Sequence, residues 1–105
     1  MKTIIDGKLY DTETATLIAD ADYGQGPGDF SWYHEELYRT PKCSYFLAGE
    51  GGANTHYAQA IDVNTRAGGS RERAMTQGEA FEWCQENNVS ADTILAEFFE
   101  LVEEA

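Results

Sequence analysis

Residues 76–102, "TQGEAFEWCQENNVSADTILAEFFELV", mark where the period of the chain changes. Upstream, apolar residues come in short runs broken by Asp-Gly, Pro and Gly. Here they recur three and four residues apart, the spacing of one helix face. Thr76 with Glu79 three residues on makes a capping box, which predicts a helix from there to about Asn88. Ala80, Phe81 and Cys84 form its inner stripe with Trp83 at the edge, and Glu79, Glu82 and Glu86 take the outer face. "NNVS" breaks the pattern. Ser90 then caps a second helix, with Ile94, Leu95, Phe98, Leu101 and Val102 facing inward and Glu97, Glu100 and Glu104 facing out.

Working back from this point, the rest reads as β-structure. "TIIDGKLY" is a hairpin, because Asp6-Gly7 suits a two-residue turn at positive φ. "ATLIADADYG" reads as a further strand, and "GQGPGDF", with Pro27, as a loop. "SWYHEELYRT" favours a strand, with a short helix around His34–Leu37 as the alternative. Pro41-Lys42 centres a turn between two extended runs, of which "YFLA" is buried on both faces. Gly49, Gly51 and Gly52 form the structural exit turn of that hairpin, at least one with φ above zero. Thr55–Ile61 adds a short element, and "VNTRAGGSRER" reads as a mobile loop. The expected fold is α+β in a single domain, residues 1–105: a small antiparallel sheet of three to five strands over 1–75, then two helices over 76–105 packed on one face.

Charge bounds the function. Nineteen acids against seven bases give −12, which repels nucleic acid and anionic membranes and favours a basic protein surface as partner. No stretch approaches the roughly 20 apolar residues that span a bilayer, and Asp6 and Gly7 interrupt any signal-peptide core, so a cytoplasmic protein is expected. All seven bases lie in the first 73 residues; from Ala74 onward there is none against eight acids. Glutamates repeated along one helix face repel by a few tenths of a kcal/mol per pair. Such rows are better tolerated when something basic binds them, and they imitate the spaced charges of a nucleic-acid backbone.

Other candidate chemistry is weaker. The "GEGG" turn lacks the lysine of a phosphate loop and carries Glu50 at its centre, which would repel a phosphate. His34, Glu36, His56 and Cys43 could be assembled into an acid/base or thiol site, but no motif supports a catalytic residue. Cys43 and Cys84 read as reduced, partly buried thiols, and with the two histidines they lack zinc-site spacing, so no metal or cofactor is expected.

"GKLYDTETATLIA", "EELYRTPKCSYFLAGEGGANTHYA" and "MTQGEAFEWCQEN" together resemble a group of small proteins carried by phages and other mobile elements of bacteria. The matching positions are Tyr10, Thr12, Thr14, Ala15, Leu37, Tyr38, Arg39, Thr40, Gly49, Glu50, Gly51, Gly52, Tyr57, Glu79, Ala80 and Trp83. The group's hairpin turn carries Gly where this chain has Cys43, which leaves the turn type open. Some small acidic proteins of similar make are anti-CRISPR inhibitors. The resemblance therefore implies a non-enzymatic inhibitor in the bacterial host cytoplasm that binds a CRISPR–Cas effector; the acidic faces of the two helices make Glu79, Glu82, Glu86, Glu97, Glu100 and Glu104 the expected contacts. A regulatory module using an aromatic sheet face (Trp32, Tyr33, Tyr38, Tyr45) is the alternative, and a homodimer stays open.

Overall fold

The computed structural model describes residues 1–26, 28–63 and 65–105. Pro27 of the expected glycine-rich loop and Asn64 of the expected polar loop lie outside them. The fold is α+β. Its elements are β1 (Lys2–Ile5), β2 (Lys8–Asp11), β3 (Thr16–Tyr23), β4 (Tyr33–Arg39), β5 (Tyr45–Gly51), β6 (Gln59–Ala60), β7 (Arg66–Ala67), β8 (Gly69–Met75), α1 (Gln77–Glu86) and α2 (Ala91–Phe98). A 3-10 turn, Phe99–Leu101, follows α2. The main sheet is antiparallel in the order β3-β4-β5-β8, and β1-β2 and β6-β7 are separate two-stranded pairs.

Each turn has a local cause. Asp6 and Gly7 both adopt positive φ, 51° and 76°, the conformation a two-residue hairpin needs. Between β4 and β5 the Cys43 N–H donates to the Thr40 carbonyl at 2.9 Å, and the Thr40 N–H to the Ser44 carbonyl at 2.7 Å. Cys43 itself sits at φ 66°, the left-handed position glycine favours. The three-residue hairpin is thus made without the glycine, at a cost in backbone strain. α1 begins with the expected capping box between Thr76 and Glu79, and Ser90 caps α2 by accepting from the Thr93 N–H. Asn88, at φ 56°, ends α1 and lets the Val89 N–H return to the Cys84 carbonyl.

The sheet is covered on its inner face and over part of its outer face. On the inner face, α1 and α2 close a core of Leu37, Tyr45, Leu47, Met75, Ala80, Trp83, Cys84 and Phe98. On the outer face the β1-β2 hairpin lays Tyr10 edge-on to Phe46, which stacks on Tyr38. β5 is therefore buried on both faces over Tyr45–Leu47, as its unbroken apolar run predicts.

Several expectations are corrected. "VNTRAGGSRER" is not a loop throughout: Arg66–Ala67 form β7, and Gly69–Met75 form an edge strand paired along the whole of β5. Its charged residues suit an edge, where one side faces water. The stretch Tyr33–Arg39 is strand, with no helical turn at His34–Leu37. Trp83 is buried rather than at the edge of α1, while Phe81 is half-buried. Of the expected apolar stripe only Ile94 and Phe98 pack inward; Leu95 is exposed within α2 itself, and Leu101 and Val102 are exposed beyond its end at Phe98. Cys43 is exposed and Cys84 buried, both free thiols.

The glycine prediction also fails, for an instructive reason. Gly49 and Gly51 lie inside β5, and among the described residues the glycines at positive φ are Gly7, Gly24 and Gly26. What "GEGG" supplies is room. A Cβ at Gly49 would overlap the Tyr57 hydroxyl and ring; one at Gly51 would lie 2.5 Å from Thr55 Oγ1, and one at Gly52 2.5 Å from the Phe30 carbonyl oxygen. The loop after β5 folds back over the inner face through these gaps, tied by the Gly52 N–H to the Trp32 carbonyl and the Asn54 N–H to the Phe30 carbonyl.

Candidate functional site

Cross-strand register decides which side chains share a face. On the outer face, Leu17, Tyr38, Phe46 and Ala74 make an apolar row beneath the β1-β2 hairpin. The next row reads Asp20, Glu36, Ala48, Glu72, and the one after it Asp22, His34, Glu50, Ser70. Half of this face is thus covered and apolar, and the other half carries five carboxylates around one histidine, with no Lys or Arg at these sheet positions. Rows of this kind space charges by roughly 5 Å across the strands and 7 Å along them.

His34 is the hub. Its Nδ1 donates to Asp22 Oδ1 at 2.8 Å, while Nε2 stands 3.9 Å from Glu36 Oε2 and 4.0 Å from Asp20 Oδ2. Asp20 and Asp22 are mostly exposed. Asp20 is directly opposite Glu36, a like-charge pairing that works against the sheet. Thr3 donates to Glu72 Oε2 at 3.1 Å, joining the small hairpin to the rim of this surface.

The inner face holds a second polar cluster with a different character. Glu35 of β4 points under α1 with its side chain 9% exposed. Trp83 Nε1 donates to its Oε1 at 3.0 Å; the Tyr57 hydroxyl, at 2.5 Å, and His56 Nε2, at 3.3 Å, both reach Oε2. Burial pushes the Glu35 carboxyl up, but the Trp83, Tyr57 and His56 donors together outweigh it and hold it below its ordinary value. Tyr57 is driven the other way, chiefly by burial and then by its bond to Glu35. A hollow of about 150 Å³ beside this cluster is lined by Glu35, Leu47, His56, Tyr57, Arg71 and Arg73. Arg71 lies over the Tyr57 ring, 5.2 Å from its centroid, and donates to the His56 carbonyl at 2.9 Å. Every buried oxygen of Glu35 is engaged, so the cluster pins the loop, the sheet and α1 together.

The glutamates expected to contact a partner fall into different settings. Glu79, Glu82 and Glu86 are exposed along α1, Glu79 being also the capping residue and 3.8 Å from Arg73. Backbone and side-chain bonds from Thr76 hold the Glu79 carboxyl below its ordinary value. Glu97 does not face out: its side chain is 10% exposed, bound to Arg39 and, at 2.6 Å, to the Tyr45 hydroxyl. Glu100 lies in the 3-10 turn and Glu104 in the irregular residues after it, so the three do not form one helical row. Nor is there one aromatic face: Tyr33 and Tyr45 share the inner side of the sheet, and Tyr38 lies on the outer side. Of the candidate acid/base or thiol set, the structure brings only His34 and Glu36 together, at 3.9 Å on the outer face; His56 lies in the inner-face loop and Cys43 at the hairpin tip. Among the described residues no group of His, Cys, Asp and Glu has the arrangement of a metal site.

The outer-face carboxylates were missed because they come from four strands. Only "ADADY", with acids two apart, carried a local signal. Comparison with protein-family models, curated proteins and solved structures finds no match for this chain.

Proposed function

We propose that this chain acts by binding, as a non-enzymatic inhibitor whose acidic outer sheet face occupies a basic, nucleic-acid-binding surface of another protein. The observation that carries this reading is the Asp20–Glu36 pairing within a face of five carboxylates. A surface serving only solubility can mix its signs and gain from pairing. One that keeps like charges in register gives up stability, and a basic partner returns it. The exposed glutamates of α1 extend the same charge on the opposite layer. The sequence resemblance to small phage and mobile-element proteins supports a CRISPR–Cas effector of the bacterial host as the target, with its nucleic-acid channel as the contact.

Two sets of charge reversals test this against a purified effector. Changing Asp20, Asp22, Glu36 and Glu50 to Lys should abolish binding and inhibition. Changing Glu82 and Glu86 to Lys should weaken them less. Binding that survives the first set at unchanged affinity would sink the reading.

A further inference from the structure

β3 ends the main sheet, and its far edge is open. It pairs with β4 on one side; among the described residues no backbone–backbone hydrogen bond joins Thr16–Tyr23 to any other strand or loop. In an antiparallel strand alternate residues aim N–H and C=O away from the partner, so this edge is a row of donors and acceptors left to water. The register slips between Leu17 and Ala19 and then runs unbroken over Ala19–Tyr23. β3 carries no Lys or Pro, residues that commonly guard an edge. The opposite edge differs, since β8 exposes Arg71 and Arg73 and its Glu72 is held by Thr3 of β1.

The side chains along the open edge have two characters. Asp20 and Asp22 stand on the outer face, 60% and 64% exposed. Ala19 and Ala21, on the inner face, pack against the core. A strand laid along the edge sets every second residue beside an aspartate and those between beside an alanine, roughly 5 Å away. Opposite charge is favoured at the first set and β-branched apolar side chains at the second. A second copy of the chain fits badly. Two β3 strands paired antiparallel with outer faces together place Asp20 and Asp22 opposite aspartates again, and β8 of a copy brings Glu72 to that face.

We propose that the open edge of β3 takes up an extended segment of a partner protein as an added strand, its basic residues alternating with apolar ones so that Lys or Arg lies beside Asp20 and Asp22. This rests on the reading that the outer face meets a basic partner, and specifies the backbone form in which that partner is held.

Three synthetic peptides test it on the native protein: an alternating Lys-Val peptide, the same sequence N-methylated along its backbone, and an alternating Thr-Val peptide. N-methylation removes the backbone donors and leaves the charge. The Lys-Val peptide should bind saturably and slow amide hydrogen exchange within Ala19–Tyr23 by about tenfold or more, leaving α1 unchanged. Its affinity should fall about tenfold or more on N-methylation, and about threefold or more in an Asp20→Asn/Asp22→Asn variant. It should hold within about twofold in a Glu82→Lys/Glu86→Lys variant. The Thr-Val peptide should bind more weakly. Circular dichroism checks that the variants stay folded, as their exposed positions allow. Absence of binding overturns the proposal, as does a wild-type dimer that the Lys-Val peptide dissociates, because a second copy then fills the edge. If the N-methylated peptide binds as tightly as its parent while Asp20→Asn/Asp22→Asn weakens both, the added strand fails and the charge reading stands. If N-methylation abolishes binding but the Thr-Val peptide binds equally and the aspartate variant changes nothing, the basic occupant and the charge reading fall together.

Discussion

Glu35 is the residue on which the inner half of the fold converges, since it joins β4, α1 and the returning loop through one carboxylate. Replacing it with Gln leaves the shape but removes an acceptor from three donors, and should destabilise the protein by about 1–3 kcal/mol in chemical denaturation at pH 7. The sign with pH follows from its depressed carboxyl. Its contribution is complete above the unfolded value of roughly 4.3 and is lost as pH falls through the lower folded value. The gap between wild type and Glu35→Gln should therefore close on acidification; a gap that widens below pH 4 contradicts the assignment. Gly49→Ala should cost about 1–3 kcal/mol, because the Tyr57 ring it would strike is held by Glu35 and cannot swing aside. That role was not legible in "GEGG". A glycine required for positive φ can be guessed from turn chemistry, whereas one required for close approach depends on which distant side chain folds over it.

At the scale of elements, the legible parts were those with local causes. Asp6-Gly7, the Thr76–Glu79 box and the Ser90 cap each satisfy backbone groups within a few residues, and each stands as read. Thr76→Ala should remove about 1 kcal/mol of stability, seen as a lower midpoint in thermal unfolding monitored by helix signal. Elements with non-local causes were misread. β8 contains "GSRERAM", a polar run with little strand propensity, and becomes a strand because β5 offers it a full ladder. α2 fits a helical template well enough to hide that Arg39 and Tyr45 draw Glu97 inward, leaving Leu95 outside. Strand alternation alone could have placed Asp20 and Asp22 on one face; only the register could add Glu36, Glu50 and Glu72.

Across the whole molecule, the outer sheet face holds acids in a pairing that works against the sheet, Asp20 opposite Glu36. Asp20→Lys should therefore raise stability, by roughly 0.2–1 kcal/mol, by turning a like-charge pair with Glu36 into an opposite one. The same change should weaken binding to a basic partner. Stability and binding moving in opposite directions is the mark of a surface kept for function; a variant that loses both would indicate a structural role instead. Competition decides whether this face occupies a nucleic-acid channel: the wild-type chain is titrated against a purified CRISPR–Cas effector with and without its nucleic acid, at two salt concentrations. Nucleic acid should displace the protein, and affinity should fall steeply with salt. Binding that is unaffected by both would contradict that reading.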